Sequence, residues 1–271
     1  MEETAYAKIN LALHVRAREP DGYHRIETVF AFAEDGDRLS VAPGEGLSLD
    51  LIGPFAAQLE DGGDNLVLCA AKALRRRYDV SQGAALTLDK RLPVASGIGG
   101  GSADAAATLR LLDRWWRLDA DEEDLLDIAR QLGADVPVCL GSRTARGEGR
   151  GDMLSSVTVP ELAGSPLLLA NPRVPVPTGD VFRRWDGVDR GPLDDVLAGR
   201  NDLQDAAIAI APEIRAVLTA LEVSRGVRLA RMSGSGATCF ALYRDEEDRD
   251  EAEARLAGHH PHWWTLASRI R

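Results

Sequence analysis

The densest chemical signal in the chain is Gly97-Ile98-Gly99-Gly100-Gly101-Ser102. Four glycines in five positions let the backbone take positive φ and come close to a ligand. Its amides can then converge on anionic oxygens. A stretch rich in helix formers, residues 103–116, runs directly out of the glycines. The free N–H groups and positive dipole end of such a helix point back at the same spot. A flexible linker or a plain glycine turn seldom runs straight into an alanine-rich helix, so the combination points to a phosphate cradle. No lysine follows the glycines, so this is not GxxxxGK[ST]. GxGxxG fails as well, because Ser102 takes the last place and Asp119, Asp121 and Glu122 open a helix instead of closing a second strand. The HRD and DFG motifs of protein kinases are absent. Asp104 complements the helix dipole or, alternatively, ligates a metal.

Other groups are less specific. Ser233-Gly234-Ser235-Gly236 is a tight hairpin on its own, or a second backbone wall beside the first loop. Lys8 is an edge-strand lysine that snorkels, or, with Asn10 and His14 on the same face, part of a polar cleft. Asp135, after Gly133-Ala134 and before Val136-Pro137, is a helix cap, or a carboxylate that takes a proton from an alcohol if a lysine lies beside it. Tyr23-His24 and Phe30 form a stacking surface or ordinary sheet packing. His259, His260 and His262 read as a solvated lead-in to a strand.

The elements that must position these residues follow from periodicity. Residues 5–15 alternate with period two and read as a strand. Pro20-Asp21-Gly22 is a turn, and strands follow at 23–32, 39–42 and 47–52. Gly62-Gly63-Asp64 ends a loop before a helix at 65–78, with a strand at 84–92 and a further helix at 121–132. Around 141–165 the composition turns to Gly, Ser, Thr and Pro, which places a boundary there. Beyond it lie a strand at 166–170, helices near 179–185, 203–210 and 212–223, and strands at 227–231 and 238–243. A helix at 245–257 and a strand at 262–270 complete the chain. Strands and helices mix without regular βα alternation, so an α+β fold with antiparallel sheet is expected.

Composition narrows the function classes. The chain has 271 residues, 45% hydrophobic and 28% charged, which argues against general disorder. A net charge of −11 argues against a nucleic-acid backbone as partner but leaves room for a small anionic ligand. Only Lys8, Lys72 and Lys90 are lysines among 32 basic residues, so an oddly placed lysine draws interest. Cys69, Cys139 and Cys239 are widely spaced and include no CxxC, which fits a reducing compartment and buried thiols. No run of 18 apolar residues and no signal- or transit-peptide layout is present, so a cytoplasmic location is expected.

Taken in order, these pieces resemble the GHMP kinase superfamily. The resemblance rests on Ala7-Lys8-Ile9-Asn10-Leu11, on the run from Leu92 through Ala106, and on Met232-Ser233-Gly234-Ser235-Gly236-Ala237-Thr238. Four further stretches carry it across nearly the whole chain: Pro20-Asp21-Gly22-Tyr23-His24, Thr28-Val29-Phe30, Gly133-Ala134-Asp135-Val136-Pro137 and Asn201-Asp202-Leu203. It implies an α+β architecture with a ribosomal-S5-like N-terminal domain over 1–155, a ferredoxin-like C-terminal domain over 156–271, and an active cleft between them. The implied reaction moves the γ-phosphate of ATP to the 2-hydroxyl of a cytidine-diphosphate-linked methylerythritol, a step of the non-mevalonate route to isoprenoids. The alternatives are another small-alcohol kinase of the superfamily, of homoserine or mevalonate type, or a non-catalytic nucleotide-binding module.

By position, the resemblance makes Asp135 the general base and Lys8 its partner. It gives the ATP phosphates to Pro93-Val94-Ala95-Ser96-Gly97-Ile98-Gly99-Gly100-Gly101-Ser102-Ala103 and the neighbourhood of the adenine to Asn65. Tyr23 and Phe182 sandwich the cytosine, His24 reads its polar edge, and Asn10 meets the methylerythritol hydroxyls. Phe30 and Asn201 are further substrate candidates. Mg²⁺ is implied with ATP, its protein ligands unassigned. The implied partners are the two small molecules, with no nucleic acid and no membrane.

Overall fold

The computed structural model describes residues 1–59 and 65–271, so the turn expected at Gly62-Gly63-Asp64 lies outside the described residues. The chain opens with β1 (Glu2–Arg18), β2 (His24–Ala42), β3 (Leu47–Ile52), α1 (Leu66–Arg77) and β4 (Ala84–Asp89). Three helices follow, α2 (Gly100–Trp116), α3 (Glu122–Leu132) and α4 (Val136–Gly141), then β5 (Ala145–Gly149), β6 (Met153–Ser156) and β7 (Pro166–Asn171). The remainder is α5 (Thr178–Arg183), α6 (Gln204–Ile210), α7 (Glu213–Glu222), β8 (Val227–Met232), β9 (Cys239–Tyr243), α8 (Glu246–His259) and β10 (Trp264–Arg269). The α+β class holds. No helix among the described residues is long and apolar enough to cross a membrane.

Two compact units interleave along the chain. The first comprises Met1–Ala7, Asp35–Val94 and Gly99–Ser142; the second comprises Lys8–Glu34, Ala95–Ile98 and Arg143–Arg271. In the first, β4 pairs antiparallel with the C-terminal part of β2 and parallel with β3. Leu86 and Leu88 of β4 point into the core while their neighbours stay half-buried, as period two requires. Helix α2 packs against α1, α3 and α4. Its buried face is alanine-rich (Ala103, Ala105, Ala106, Ala107), and side chains this small let helices approach closely. Asn65 caps α1 by accepting the Val67 N–H at 2.9 Å. Asp121 caps α3, whose first turn carries Glu122, Glu123 and Asp124 at the positive dipole end.

In the second unit the antiparallel sheet runs β10-β7-β9-β8. Helix α7 covers β7, β8 and β9, and α8 covers β7, β9 and β10. Leu168, Val217, Leu221, Ala241, Tyr243 and Leu256 fill the core between them. The N-terminal part of β2 pairs with β5, and β5 with β6.

Three differences from the sequence reading have local causes. The strands expected at 23–32 and 39–42 are one strand, β2. Its Gly36 marks a close approach of β1, since an added Cβ would lie 1.9 Å from the Ala5 carbonyl oxygen. Strands β5 and β6 arise where glycine- and serine-rich composition suggested only a boundary. Helix α2 starts three residues before Ala103, whose N–H already bonds the Gly99 carbonyl at 2.8 Å.

Candidate active site

The glycine turn adopts the geometry that its composition demands. Ala95, Gly97 and Gly99 have φ of 51°, 78° and 65°, left-handed at alternate residues. Gly97 has no space for a side chain, because a Cβ would lie 2.6 Å from the Ser233 carbonyl oxygen and 2.7 Å from that of Gly236. The two glycine loops therefore meet backbone to backbone within the second unit. Ser233 Oγ donates to the Gly97 carbonyl at 2.9 Å, and the Thr238 N–H donates to that of Ser96 at 3.1 Å. Asn201 braces the second loop: Nδ2 donates to the carbonyls of Met232 and Gly234, both at 2.8 Å, and Oδ1 accepts the Leu203 N–H. This placement makes Asn201 a brace for the loop.

In the first unit, α2 begins without a side-chain cap. Gly101 is exposed, and Gly100 and Ser102 are half-buried, so the first free N–H groups of a 17-residue helix remain open to an anion. Pro93 is buried and Val94 half-buried on the approach. Leu66, beside the α1 cap Asn65, lies near Gly101: an added Cβ there would be 3.6 Å from Leu66 Cδ1.

Directly under this helix start lies a cluster that sequence reasoning missed. Lys90 Nζ donates to Asp37 Oδ2 and to Asp104 Oδ2, each at 2.6 Å. Asp37 Oδ1 accepts the N–H groups of Arg91 (2.6 Å) and Leu92 (2.8 Å). Asp104 thus neither complements the dipole from the surface nor faces outward toward a metal; it belongs to a buried ion cluster. Burial, joined by the like charge of Asp37, outweighs Lys90 and pushes the Asp104 carboxyl up to about 7. Burial opposes the charge on Lys90, but Asp104 and Asp37 more than offset this and raise its pKa. The scarcity of lysine was the one available hint.

Lys8 is a buried amine, 4% exposed, which removes the snorkelling reading. Its Nζ donates to Asn10 Oδ1 at 3.2 Å and lies 4.9 Å above the Phe30 ring. Asn10 Nδ2 donates to Thr28 Oγ1 at 2.8 Å, and the Asn10 N–H donates to Ser233 Oγ at 3.1 Å. Phe30 is a buried platform beneath the amine. His14 has a structural position, with Nδ1 3.1 Å from the Gly191 carbonyl and Nε2 accepting the Arg200 N–H. Burial lowers its pKa. In the first unit, Asp135 is half-buried at the start of α4 and its side chain makes no capping bond there, so the cap reading falls.

The aromatic residues form a corner in the second unit. The His24 ring lies 5.0 Å from that of Phe182 and meets Trp185 edge-on at 5.7 Å. Burial first, then Arg18, lowers the His24 pKa, so the imidazole is neutral near pH 7 and offers one donor and one acceptor. Tyr23 is 58% exposed, with the Arg150 guanidinium 3.9 Å over its ring and bonded to Asp21. Neither Trp185 nor Arg150 was foreseen; Arg150 sits in a glycine-flanked turn that read as boundary sequence. Trp185 also walls a cavity of about 530 Å³ with Arg190, Asn201, Asp202, Gln204 and Arg231. Arg231 is buried there and donates to the carbonyls of Leu11, Val196 and Leu197; burial brings its pKa down to about 10. His260 stacks on Trp263 at 3.7 Å, a packing contact. Among the described residues, no group of three or more His, Cys, Asp or Glu side chains is arranged to hold a metal ion.

An uncapped glycine-entered helix, a buried amine and a neutral-histidine aromatic corner suit a small-molecule phosphotransferase that reads a base. The GHMP kinases N terminal domain matches residues 65–143, and the GHMP kinases C terminal domain matches residues 189–262. Both parts of a GHMP kinase are thus present. A relative from Rhizorhabdus wittichii, named 4-diphosphocytidyl-2-C-methyl-D-erythritol kinase, is 56% identical over 99% of this chain and 94% of its own length. The crystal structure of a 4-(cytidine 5'-diphospho)-2C-methyl-D-erythritol kinase superposes with a TM-score of 0.86 at 33% identity, covering 100% of this chain and 99% of that one. A homoserine kinase from Cytophaga hutchinsonii shares the fold, with a TM-score of 0.70 at 18% identity over 97% of this chain and 95% of its own. The chain belongs to the 4-diphosphocytidyl-2-C-methyl-D-erythritol kinase family of GHMP kinases.

Proposed function

We propose that this enzyme transfers the γ-phosphate of ATP to the 2-hydroxyl of 4-diphosphocytidyl-2-C-methyl-D-erythritol, releasing ADP and the 2-phosphate, within the non-mevalonate isoprenoid pathway. The observation that carries this choice over other alcohols is the corner formed by His24, Phe182 and the exposed Tyr23. A pyrimidine stacks on such rings, and a neutral imidazole serves the donor and acceptor edge of cytosine. Homoserine and mevalonate have no base to fill it.

A tertiary alcohol is a crowded nucleophile with a high pKa. The protein therefore contributes position and proton removal as the P–O bond forms. On this reading Asp135 takes the hydroxyl proton, and Lys8 brings positive charge to the reacting oxygens. The ATP phosphates sit on the 93–103 turn and the free N–H groups of α2. Asn65, held in one orientation by its capping bond, stands near the adenine. Asn10 meets the methylerythritol hydroxyls, and Phe30 and Asn201 support that side from beneath. Mg²⁺ is expected with ATP, would be held at the nucleotide phosphates, and has no assigned protein ligands. When bound, it neutralises phosphate charge. We place the domains at 1–155 and 156–271, and the enzyme's action in the cytoplasm on two small molecules, with no nucleic-acid or membrane partner.

The test supplies ATP, magnesium and, in separate assays, the cytidine-linked alcohol, homoserine and mevalonate. ADP is expected with the first alone, with CMP and CDP as inhibitors. Asp135→Ala is expected to lose about 10²–10⁴ of kcat while still binding nucleotide. Full activity of that variant removes the base assignment, and turnover of homoserine or mevalonate without cytidine inhibition removes the substrate.

A further inference from the structure

Lys90, Asp37 and Asp104 place one positive and two negative charges inside the first unit, each side chain at most 4% exposed. Removing ions from water is tolerated when they are paired and their remaining lone pairs are filled. Asp37 meets that condition through Lys90 and the N–H groups of Arg91 and Leu92. Asp104 does not: Oδ2 takes Lys90, while Oδ1 is buried with no hydrogen-bond partner. The cluster therefore holds a surplus negative charge and one unsatisfied acid oxygen. It also sits against the helix start, since a Cβ on Gly100 would lie 3.0 Å from Lys90 Nζ. Arg91 and Leu92, tied down by Asp37, lead straight into the 93–98 turn.

Building on the ATP assignment above, we propose that Lys90 and Asp104 are positioning residues for the nucleotide phosphates, and that ATP binding takes up a proton from solvent at Asp104 Oδ1. Phosphate charge arriving at the α2 N-terminus repels the surplus charge beneath it. A proton on Oδ1 cancels the surplus and leaves the Lys90 bond to Oδ2 in place. Because burial has already pushed this carboxyl up to about 7, the proton is taken up near neutral pH.

The charges facing Asp104 are Lys90, just past β4, and Asp37 on β2. Of the helices packed on α2, α1 brings Lys72, which is exposed, and a basic last turn. The acids Asp124 and Asp127 of α3 are held by Arg77 and Arg130, and α4 carries no charged side chain. On α2 itself, Arg110 and Arg114 bond Glu3.

The test is calorimetric titration of the full-length protein with a non-hydrolysable ATP analogue and magnesium, in two buffers of different ionisation enthalpy near neutral pH. The wild type is expected to take up a substantial fraction of a proton more than Asp104→Asn; protonation of the nucleotide itself cancels in that difference. The KM for ATP is expected to rise between about pH 6 and pH 8 in the wild type, by about tenfold for each pKa unit that binding displaces. The variant's profile stays flatter, and the KM for the alcohol does not follow. Equal proton uptake with parallel profiles overturns the inference alone. Failure of both proteins to bind nucleotide overturns the ATP reading, and this inference with it. If Asp104→Asn does not fold, carboxyl-labelled wild type decides by NMR. A buried aspartate that titrates near neutrality and moves upward with nucleotide supports the proposal, and no such resonance overturns it.

Discussion

The ion cluster under α2 and the aromatic corner around His24 solve opposite problems. In the first, Lys90 and two carboxylates are withdrawn from water and held rigid by bonds of 2.6 Å. In the second, rings meet at 5.0–5.7 Å, and Tyr23 stays largely in solvent under Arg150. On the proposed reading, a site for triphosphate needs fixed backbone donors, and charges beneath it would act as a clamp. On the same reading, a site for a flat base would need faces that can be uncovered. Rigidity built from buried charge is costly to disturb, whereas stacking is adjustable and each contact is worth less.

That contrast can be broken most forcefully at Lys90. Lys90→Met leaves two buried carboxylates facing each other without a cation, and is expected to cost about 3–5 kcal/mol of stability, read by denaturant unfolding. A loss below about 1 kcal/mol would mean that the cluster is solvated and no clamp. Phe182→Ala comes next. Loss of one stacking face costs about 1–3 kcal/mol, so the KM for the cytidine substrate is expected to rise about tenfold or more while that for ATP stays put. Equal rises in both would show that the corner does not serve the base.

Acidity sharpens the comparison, because the two regions respond with opposite sign. The Asp104 carboxyl is raised in the folded state, so its contribution to stability is complete below the ordinary carboxylate range and is lost as pH rises through about 7. His24 is lowered below its ordinary 6.5, so its contribution is present above that value and is lost as pH falls through the folded pKa. Relative to wild type, Asp104→Asn is therefore expected to gain in melting temperature between about pH 5 and pH 8, and His24→Gln to lose. Parallel curves for both variants contradict the assignment. The smallest effect is expected at Arg150→Ala, where an exposed cation–π contact is worth about a two- to fivefold rise in KM for the cytidine substrate and no change in fold by circular dichroism.

Much of this was legible beforehand for local reasons. Glycine at 97 and 99 permits the left-handed backbone found there, and the alanine-rich run that follows favours a helix on local grounds. Helix α7 and strands β4 and β8 likewise follow from period and propensity and lie within a residue or two of expectation, apart from the last three residues expected of β4. Strands β5 and β6 escaped notice because their glycines and charges describe a loop until a neighbouring strand completes the hydrogen bonds.

The backbone of the glycine turn and the family were written in the order of amino acids, since motifs are short and their backbone demands are local. What Lys90, Asp104, Arg150 and Trp185 do was not. Lys90 finds Asp37 from 53 residues away, and Arg150 finds Asp21 from 129. Partnerships at such separations depend on sheet register and helix packing, which no local periodicity encodes, and burial, which sets the Asp104 and His24 titrations, exists only once the chain has closed around them.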